Sequence, residues 1–348
     1  MSAREEGSPR LARVSVVGTG SWGTAATGLV APKAEKVVLW GRSPEACEAI
    51  NRTRHNPRHL TGYELARNVS ATADLAEAAS GADALVLALP SAYLRATARS
   101  LAPYAGATTP VLVLTKGVEP GTGDLMSDVV AEELGNPGRV AALSGPNHAE
   151  EICQGSYAAA VVASAEAGCA TFFQRLMGSH DFRVYASADL TGVEVSGAVK
   201  NVVAIACGVA AGLGAGDNTL AALMTRGIAE MSRVVAALGG DPMTCMGLAG
   251  MGDLVATCTS RHSRNRTFGE AFAAGESLES YQSRTHMVVE GAAAARSVYE
   301  LAQKHAIEAP ITCVVHAILY EGLPLAEAIE SLLQRRVREE FYGLGTNE

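Results

Sequence analysis

Aromatic residues make up only 5% of this 348-residue chain, and acidic residues outnumber basic ones, so that the formal net charge is −8. This acidic balance argues against non-specific nucleic-acid binding as the main activity, although it leaves room for a local basic pocket that binds a small anion. The seven cysteines are scattered without a C-x-x-C pair, which is typical of reduced thiols in a cytoplasmic protein. Cysteines and histidines also lack metal-ligand spacing, and we therefore predict no metal site.

Long uninterrupted hydrophobic runs are also missing. The most apolar stretch, residues 199–215, contains Lys200 and is interrupted by glycines, so we predict no membrane span. Residues 1–12 are charged and polar and lack the apolar core of a signal peptide, which favours a disordered tail on a cytoplasmic protein. The remaining length is sufficient for two domains.

A glycine-rich turn follows the first apolar run of the chain. Residues 14–17 are apolar except for Ser15, and glycines follow at Gly18, Gly20 and Gly23. Gly18 permits a tight turn, Gly20 lets the backbone approach a pyrophosphate, and Gly23 allows the next helix to pack closely on the strand. Such turns also occur as plain strand-to-helix connections, but the strand before this one and the Ala-rich segment after it favour dinucleotide binding.

Short apolar runs alternate with helical patterns through the first half of the chain. This alternation is typical of a mostly parallel sheet with helices on both faces. From about Asp189 onward, long segments rich in Ala, Leu, Val and Glu show helical periodicity and no strand pattern. The sequence therefore predicts a Rossmann-like, doubly wound α/β domain over residues 13–189 and an all-α domain over residues 190–340. The predicted strands are residues 14–17, 36–40, 84–88, 111–115, 140–143, 159–163 and 182–185.

Three predicted strands lead into a polar or basic residue beside a turn, namely Ser91, Lys116 and Asn147. Ligands of doubly wound sheets bind beyond the carboxyl ends of the strands, so we expect these side chains to converge on the cofactor, although each alone would be an ordinary solvated loop. The second strand ends without the acid with which an NAD-preferring domain holds the adenosine ribose. Arg42 stands there instead, which favours NADP with NAD also accepted; a surface arginine is the alternative interpretation.

Further motifs along the chain form a more specific pattern. In order, they are GTGSWGTA, LPSAYLR, LTKGVE, LSGPNHAEEI, VSGAVKNVVAIACG, GDNTLAAL, GLAGMGDLVATC, SRNRTFG and MVVEG. With these motifs the chain resembles the bacterial NAD(P)-dependent glycerol-3-phosphate dehydrogenases over residues 13–333. It departs from that family in three places: Asn147-His148 replaces the commoner Ser/Thr-Phe, Leu220 replaces a frequent lysine, and Gly62 follows a threonine where Pro-Gly is usual.

The resemblance implies a reaction and its catalytic residues. The reaction is hydride transfer between NAD(P)H and dihydroxyacetone phosphate to give sn-glycerol 3-phosphate, which supplies glycerophospholipid synthesis. The resemblance makes Lys200 the general acid and base at carbon 2, and a lysine that heads an apolar helix is placed to be desolvated, with a lowered pKa. It makes Lys116 the group that polarises the substrate oxygen and Asp253 the group that orients Lys200. An aspartate after glycine is also a common helix N-cap.

The resemblance assigns binding residues as well. The run of residues 260–266 contains three arginines, which is typical of a solvated basic loop but also suits a phosphate monoester. The residues implied to bind substrate are Lys116, Gly145, Asn147, Lys200, Asn201, Asp253, Thr257, Ser263, Arg264 and Asn265. Those implied to bind the cofactor are Gly18, Gly20, Ser21, Trp22, Gly23, Arg42, Lys116, Ala149, Arg264, Val288 and Glu290.

Two other interpretations compete with this one. Another hydroxyacid dehydrogenase, of the 3-hydroxyacid or 6-phosphogluconate type, would also place a lysine at a domain junction, but Arg264 and Asn265 favour a small phosphate monoester. A non-catalytic NADP-sensing protein would tolerate the loss of Lys200, Lys116 or Asp253, yet all three are present. The resemblance also implies a homodimer, and the acidic net charge argues against a nucleic-acid partner.

Overall fold

The first half of the chain forms one sheet of eight strands, in the order β3-β2-β1-β4-β5-β6-β7-β8, in a computed structural model that describes residues 10–285, 288–336, 339–340 and 343. Neighbouring strands are parallel except β6 and β7, which are antiparallel. This doubly wound, mostly parallel order confirms the predicted fold class. The strands are β1 (Leu11–Val17), β2 (Ala34–Trp40), β3 (Val69–Thr72), β4 (Ala84–Leu87), β5 (Val111–Val113), β6 (Val140–Ser144), β7 (Ala158–Ala163) and β8 (Phe182–Ser187).

Helices alternate with these strands, and no strand follows β8 in the described part of the chain. The helices of the first half are α1 (Ser21–Val30), α2 (Pro44–Thr53), α3 (Leu75–Ala79), α4 (Ser91–Leu101), α5 (Met126–Leu134), α6 (Ala149–Cys153) and α7 (Ala167–Met177). Those of the second half are α8 (Leu190–Gly212), α9 (Asp217–Ala237), α10 (Asp253–Thr259), α11 (Arg264–Ala273), α12 (Leu278–Thr285), α13 (Glu290–Lys304), α14 (Pro310–His316) and α15 (Leu325–Leu333). Short 3₁₀ and π turns connect several of them.

The middle strands are apolar on both faces because helices cover both. Val14 and Val16 in β1 and Leu85 and Val86 in β4 are fully buried, as a parallel sheet requires. The edge strand β3 was not predicted, because it is only four residues long and, of those four, only Ala71 is buried.

The chain enters the sheet earlier than predicted. Leu11 already belongs to β1, where it pairs with Ala34 of β2, so the predicted disordered tail over residues 1–12 is wrong at its end. Leu11 and Ala12 are apolar, unlike the mostly charged and polar residues before them, and the pairing of Leu11 with Ala34 extends the strand over them. The rest of that predicted tail, residues 1–9, lies outside the described residues.

Helix α8 is the centre of the second half. It is the one helix in the described part of the chain that is long and apolar enough to cross a membrane, and 78% of its most apolar window is buried inside the protein. Its apolar surface is therefore used for internal packing. Helix α11 crosses α8 closely at two glycines, since a β-carbon at Gly208 would lie 2.1 Å from the Arg266 carbonyl oxygen and one at Gly269 would lie 2.4 Å from that of Ile205. This close crossing places the start of α11 beside the middle of α8.

A buried carboxylate joins the two halves. Glu194, on the second turn of α8, accepts a hydrogen bond of 2.9 Å from the backbone N–H of Ser127 and another from the Ser127 hydroxyl. Ser127 lies in the first turn of α5, so the carboxylate also satisfies an unpaired N–H at a helix N-terminus. This contact fixes α8 against the sheet next to β5 and β6.

Candidate active site between the sheet and the helices

The glycine turn between β1 and α1 has the shape that a pyrophosphate requires. Gly18 has a φ of +122°, and a β-carbon there would lie 2.3 Å from the carbonyl oxygen of Ala88. A β-carbon at Gly23 would lie 1.9 Å from the carbonyl oxygen of Gly18, so only glycine allows this approach of helix and strand. Nothing lies within 4 Å of a β-carbon built at Gly20, which leaves the N-terminus of α1 open to a phosphate. The turn fits a dinucleotide.

Ser21 and Trp22 form the first turn of α1 next to this cradle. The Trp22 ring packs edge-on against Phe182, with ring centroids 6.1 Å apart, and so belongs to the core of the sheet. Its Nε1 is nevertheless buried, and it has no hydrogen-bond partner among the described residues. A core role and a contact between this N–H and a bound cofactor are therefore compatible.

Arg42 lies two residues after the end of β2 and is exposed. Its guanidinium lies 4.8 Å from the ring centroid of Tyr93, in the first turn of α4, which is a cation–π contact. This stacking orients the planar fork at the end of the strand where the ribose of a dinucleotide lies in this fold.

Lys116, Asp253 and Lys200 come from three separate elements and meet in one cluster, in which Asp253 and Lys200 are buried and Lys116 is partly buried. Lys116 follows β5, Asp253 begins α10, and Lys200 lies in the middle of α8. Asp253 Oδ2 lies 2.8 Å from Lys116 Nζ, and Asp253 Oδ1 lies 3.1 Å from Lys200 Nζ. Lys200 also donates to Thr257 Oγ1 at 2.8 Å, and Thr257 donates to Asp253 Oδ1 at 3.2 Å. A single carboxylate therefore holds two cations.

Burial sets the protonation states in this cluster. It lowers the pKa of Lys200 to about 8, against the opposing effect of Asp253 and with the help of Lys116. Burial alone would raise the pKa of Asp253, but the two ammonium groups outweigh it and hold that pKa below its usual value. The sequence prediction placed Lys200 at the head of its helix, which is wrong, because α8 begins at Leu190. The desolvation comes from packing at the middle of the helix.

The turn after β6 supplies the next partners of Lys116. Lys116 Nζ donates to the carbonyl oxygen of Gly145 at 3.0 Å and to Asn147 Oδ1 at 2.8 Å. Gly145 has a φ of +145°, and a β-carbon there would lie 2.8 Å from the Cα of Ala160. Asn147 Nδ2 is buried without a hydrogen-bond partner among the described residues. The turn therefore presents an available donor beside the cluster.

A second polar chain connects α8, α11 and α13. Asn265 Nδ2 donates to Asn201 Oδ1 at 2.8 Å, and Asn265 Oδ1 accepts from the Gly291 N–H at 2.9 Å. Asn201 directly follows Lys200, so this chain begins next to the lysine cluster. The predicted substrate residues Lys200, Asn201, Asp253, Thr257 and Asn265 are thus brought together.

The basic loop before α11 has both a structural and an exposed part. Ser263 is buried and caps α11 by accepting from the Arg266 N–H at 3.2 Å. Arg264 is exposed, and its Nη1 lies 3.5 Å from the carbonyl oxygen of Val288. Arg264 therefore borders the segment that leads into α13, where the other predicted cofactor residues lie.

Glu290 bridges the two halves close to Arg264, whose charge acts on it. It begins α13, and its Oε2 accepts a 2.9 Å hydrogen bond from the hydroxyl of Ser91 at the start of α4. Burial raises the pKa of Glu290, although the bond from Ser91 opposes that shift. The sequence predicted that Ser91 follows a strand, but it did not predict the hydrogen bond from Ser91 to Glu290. Ala149, the last predicted cofactor residue, is buried at the start of α6.

Two residues near the site were not predicted. Glu194 was missed because it is a single polar residue in an otherwise apolar helix and belongs to no recognisable motif. His148 had a signal, since it stands at a departure from the family pattern beside Asn147. As for metals, no group of three or more His, Cys, Asp or Glu that could hold an ion is found within the described residues.

Comparisons with known proteins cover nearly the whole chain. The family model for the N-terminus of NAD-dependent glycerol-3-phosphate dehydrogenase matches residues 13–170, and the model for its C-terminus matches residues 189–330. A relative from Thermobifida fusca, named glycerol-3-phosphate dehydrogenase (NAD(P)+), is 47% identical over 336 residues, which are 96% of this chain and 100% of the relative. A relative of the same name from Moorella thermoacetica is 45% identical over 92% of this chain and 96% of its own length. The solved structure of glycerol-3-phosphate dehydrogenase from Coxiella burnetii has a TM-score of 0.89 at 38% identity, covering 93% of this chain and 99% of that one.

Proposed function

The chain belongs to the NAD-dependent glycerol-3-phosphate dehydrogenase family, and from that membership we propose that it interconverts dihydroxyacetone phosphate and sn-glycerol 3-phosphate with NAD(P)H. Such an enzyme supplies the backbone of glycerophospholipids. The observation that carries the proposal is the cluster in which Asp253 pairs with both Lys116 and Lys200. It supplies the proton that must accompany the hydride a reduced nicotinamide would provide.

Lys200 serves as the acid and base of the reaction. Dihydroxyacetone phosphate reduction places negative charge on the carbonyl oxygen, and a protonated Lys200 neutralises it by giving up its proton. With a pKa of about 8, Lys200 carries that proton at neutral pH and releases it more readily than an exposed lysine does. In the reverse direction the neutral amine accepts the hydroxyl proton of glycerol 3-phosphate.

Asp253 and Lys116 prepare this lysine. Asp253 holds the Lys200 ammonium at 3.1 Å and keeps it from moving away as the proton leaves. Lys116 shares the same carboxylate and adds a second positive charge that attracts the substrate dianion. Thr257 accepts a hydrogen bond from Lys200 and so helps to fix its direction.

The residues at the start of α11 are proposed to bind the phosphate group of the substrate. Arg264 is exposed and has a planar fork of donors, while Asn265 is buried and anchored to Asn201. We assign the phosphate to Arg264, Ser263 and Asn265, because a phosphate monoester favours a charged fork with neighbouring neutral donors. Gly145 and Asn147 complete the substrate side.

The cofactor is proposed to be bound mainly by backbone groups and by an arginine held in place by stacking. The glycine turn and the N-terminus of α1 suit the pyrophosphate, and Glu290, Val288 and Ala149 border the nicotinamide end. Arg42 is the proposed contact to a 2′-phosphate, so NADP is the preferred cofactor and NAD a weaker substitute.

We further propose a cytoplasmic homodimer. All seven cysteines are free thiols, as expected in a reducing compartment. The exposed side chains of Tyr157 and Tyr185 line an apolar groove with Leu248, which supports self-association. Light scattering on the purified protein tests this part independently of activity, because a monomeric mass contradicts it.

The experiment that tests the function is NADPH oxidation with dihydroxyacetone phosphate, for the parent protein and for Lys200→Met. Methionine keeps most of the side-chain volume and removes the proton donor, so we expect turnover to fall by roughly 10²- to 10⁴-fold. No turnover by the parent contradicts the function, whereas an active variant contradicts only the role of Lys200. His180→Phe, at a nearly fully exposed position, serves as a control.

A further inference from the structure

His148 lies beside the reacting groups without a part in the function proposed above. It directly follows Asn147 and stands at the N-terminus of α6. Its ring is close enough to Lys200 and Asp253 for their charges to act on it, and it also faces the backbone carbonyl of Ala256 in α10. The ring therefore sits between the turn after β6 and the helix that carries Asp253.

Two side-chain nitrogens on adjacent residues of this turn are buried without a hydrogen-bond partner among the described residues. His148 Nε2 and Asn147 Nδ2 both lack a hydrogen-bond partner within the described part of the chain. The Asn147 amide cannot be turned to relieve this, because its Oδ1 accepts from Lys116, which can only donate. Buried polar atoms without partners are rare in folded proteins, and a pair of them at a reaction site indicates that a ligand satisfies them.

The substrate has one polar group left to match this pair. Its phosphate is assigned to the start of α11 and its carbonyl to Lys200, which leaves the free hydroxymethyl group. Hydrogen bonds and ion pairs link Asn147 through Lys116 to Asp253 and on to Lys200. The pair of open nitrogens thus lies at the other end of this chain of contacts from Lys200, close enough for the charge of Lys200 to act on His148, and on a different element from the phosphate residues.

We propose that His148 is a specificity-determining residue that, together with Asn147, hydrogen-bonds the free hydroxymethyl group of the substrate. The proposal rests on the function given above. A hydroxyl group suits this pair, because its oxygen accepts from Asn147 Nδ2 while its O–H donates to a neutral imidazole. Burial lowers the pKa of His148, and the charge of Lys200 lowers it further, so the ring is neutral at neutral pH.

The test compares two substrates in the same enzyme sample. One is dihydroxyacetone phosphate, and the other is hydroxyacetone phosphate, in which a methyl group replaces the hydroxymethyl group. We expect the parent to prefer dihydroxyacetone phosphate in kcat/KM, because a site that hydrogen-bonds a hydroxyl rejects the analogue without it. In His148→Phe, which keeps a ring of similar size, this preference falls by about tenfold, the size expected for one lost hydrogen bond.

Controls separate a direct contact from a packing effect. The ratio of the two kcat/KM values is independent of how much of the sample is folded, and His148→Leu is expected to give the same low ratio. His148→Gln keeps a hydrogen-bonding group and is expected to recover part of the preference. His180→Phe removes an exposed histidine and leaves the ratio at the parental value.

The outcomes are distinct. An equal loss on both substrates, or an unchanged ratio in His148→Phe and His148→Leu, overturns the hydroxymethyl contact while the dehydrogenase function stands. A parent protein that turns over neither substrate overturns the function itself and this contact with it.

Discussion

The cofactor side and the reaction side of the site differ in how they use charge. On the cofactor side, the phosphate cradle is built from glycine backbone, and Arg42 is exposed to solvent. On the reaction side, Lys200 is only 6% exposed and Asp253 only 3%. The binding groups of the cofactor side are thus accessible to a large ligand, whereas Lys200 and Asp253 on the reaction side are already shielded from water without a ligand.

This difference determines how each side responds to substitution. An exposed arginine is screened by water and salt, so removing it costs only its own contact with the ligand. A buried cation that loses its carboxylate stays buried without a counter-ion, which costs much more. We therefore expect single substitutions on the reaction side to cause large losses of activity, and single substitutions on the cofactor side to cause only moderate losses of cofactor affinity.

The largest effect is expected for Asp253→Asn. The amide has nearly the same shape but no charge, so Lys116 and Lys200 are left together without the anion that holds both. We expect kcat for dihydroxyacetone phosphate reduction to fall by roughly 10²- to 10⁴-fold. Steady-state kinetics checks this, with the exposed Asp181→Asn as the matched control. A loss of less than about threefold, well below the range for a catalytic acid–base group, contradicts the central role of the carboxylate.

A smaller effect, on stability, is expected for Glu194→Gln. Burial raises the pKa of Glu194 to about 7, so the folded state binds a proton that the unfolded state releases between its usual pKa and pH 7. Glu194 therefore stabilises the fold at low pH, and this contribution is lost as the pH rises, by up to ~3 kcal/mol.

Glutamine cannot titrate but still accepts from the Ser127 N–H, and its amide donates to the Ser127 hydroxyl. Urea unfolding at pH 5 and pH 8 is thus expected to show a smaller loss of stability for the variant than for the parent. The exposed Glu327→Gln is the control. If the free energy of unfolding changes with pH by the same amount in the parent and in Glu194→Gln, the proposed titration of Glu194 is contradicted.

The smallest effect is expected for Arg42→Ala. We expect the KM for NADPH to rise by about tenfold, because one charge-assisted contact to the 2′-phosphate is lost. The KM for NADH is expected to change by less than about twofold, since NADH lacks that phosphate. Paired kinetics with both cofactors checks this, and equal changes rule out the proposed contact.

The sequence predicts more of the cofactor side than of the reaction side. The glycine turn is a local pattern, and its fit depends on residues only a few positions apart. The cluster of Lys116, Asp253 and Lys200 is assembled from distant segments, so only the resemblance pointed to it, and even then the position of Lys200 in its helix was wrong. The Glu194–Ser127 contact could not be predicted from a local pattern, because Glu194 and Ser127 belong to distant segments and are buried only when the two halves of the fold pack together. The antiparallel β6–β7 pairing was likewise outside the reach of local patterns.

The pH dependence of kcat/KM for dihydroxyacetone phosphate reduction, measured on the parent and on Asp253→Asn, tests the buried proton donor most directly. Reduction needs protonated Lys200, so the parental rate is expected to fall as the pH rises through about 8. Without the carboxylate that favours the charged ammonium, the residual activity of Asp253→Asn is expected to fall at a lower pH. A parental rate that stays level until about pH 10, where an ordinary lysine titrates, or an inflection that Asp253→Asn leaves in place, would contradict the account.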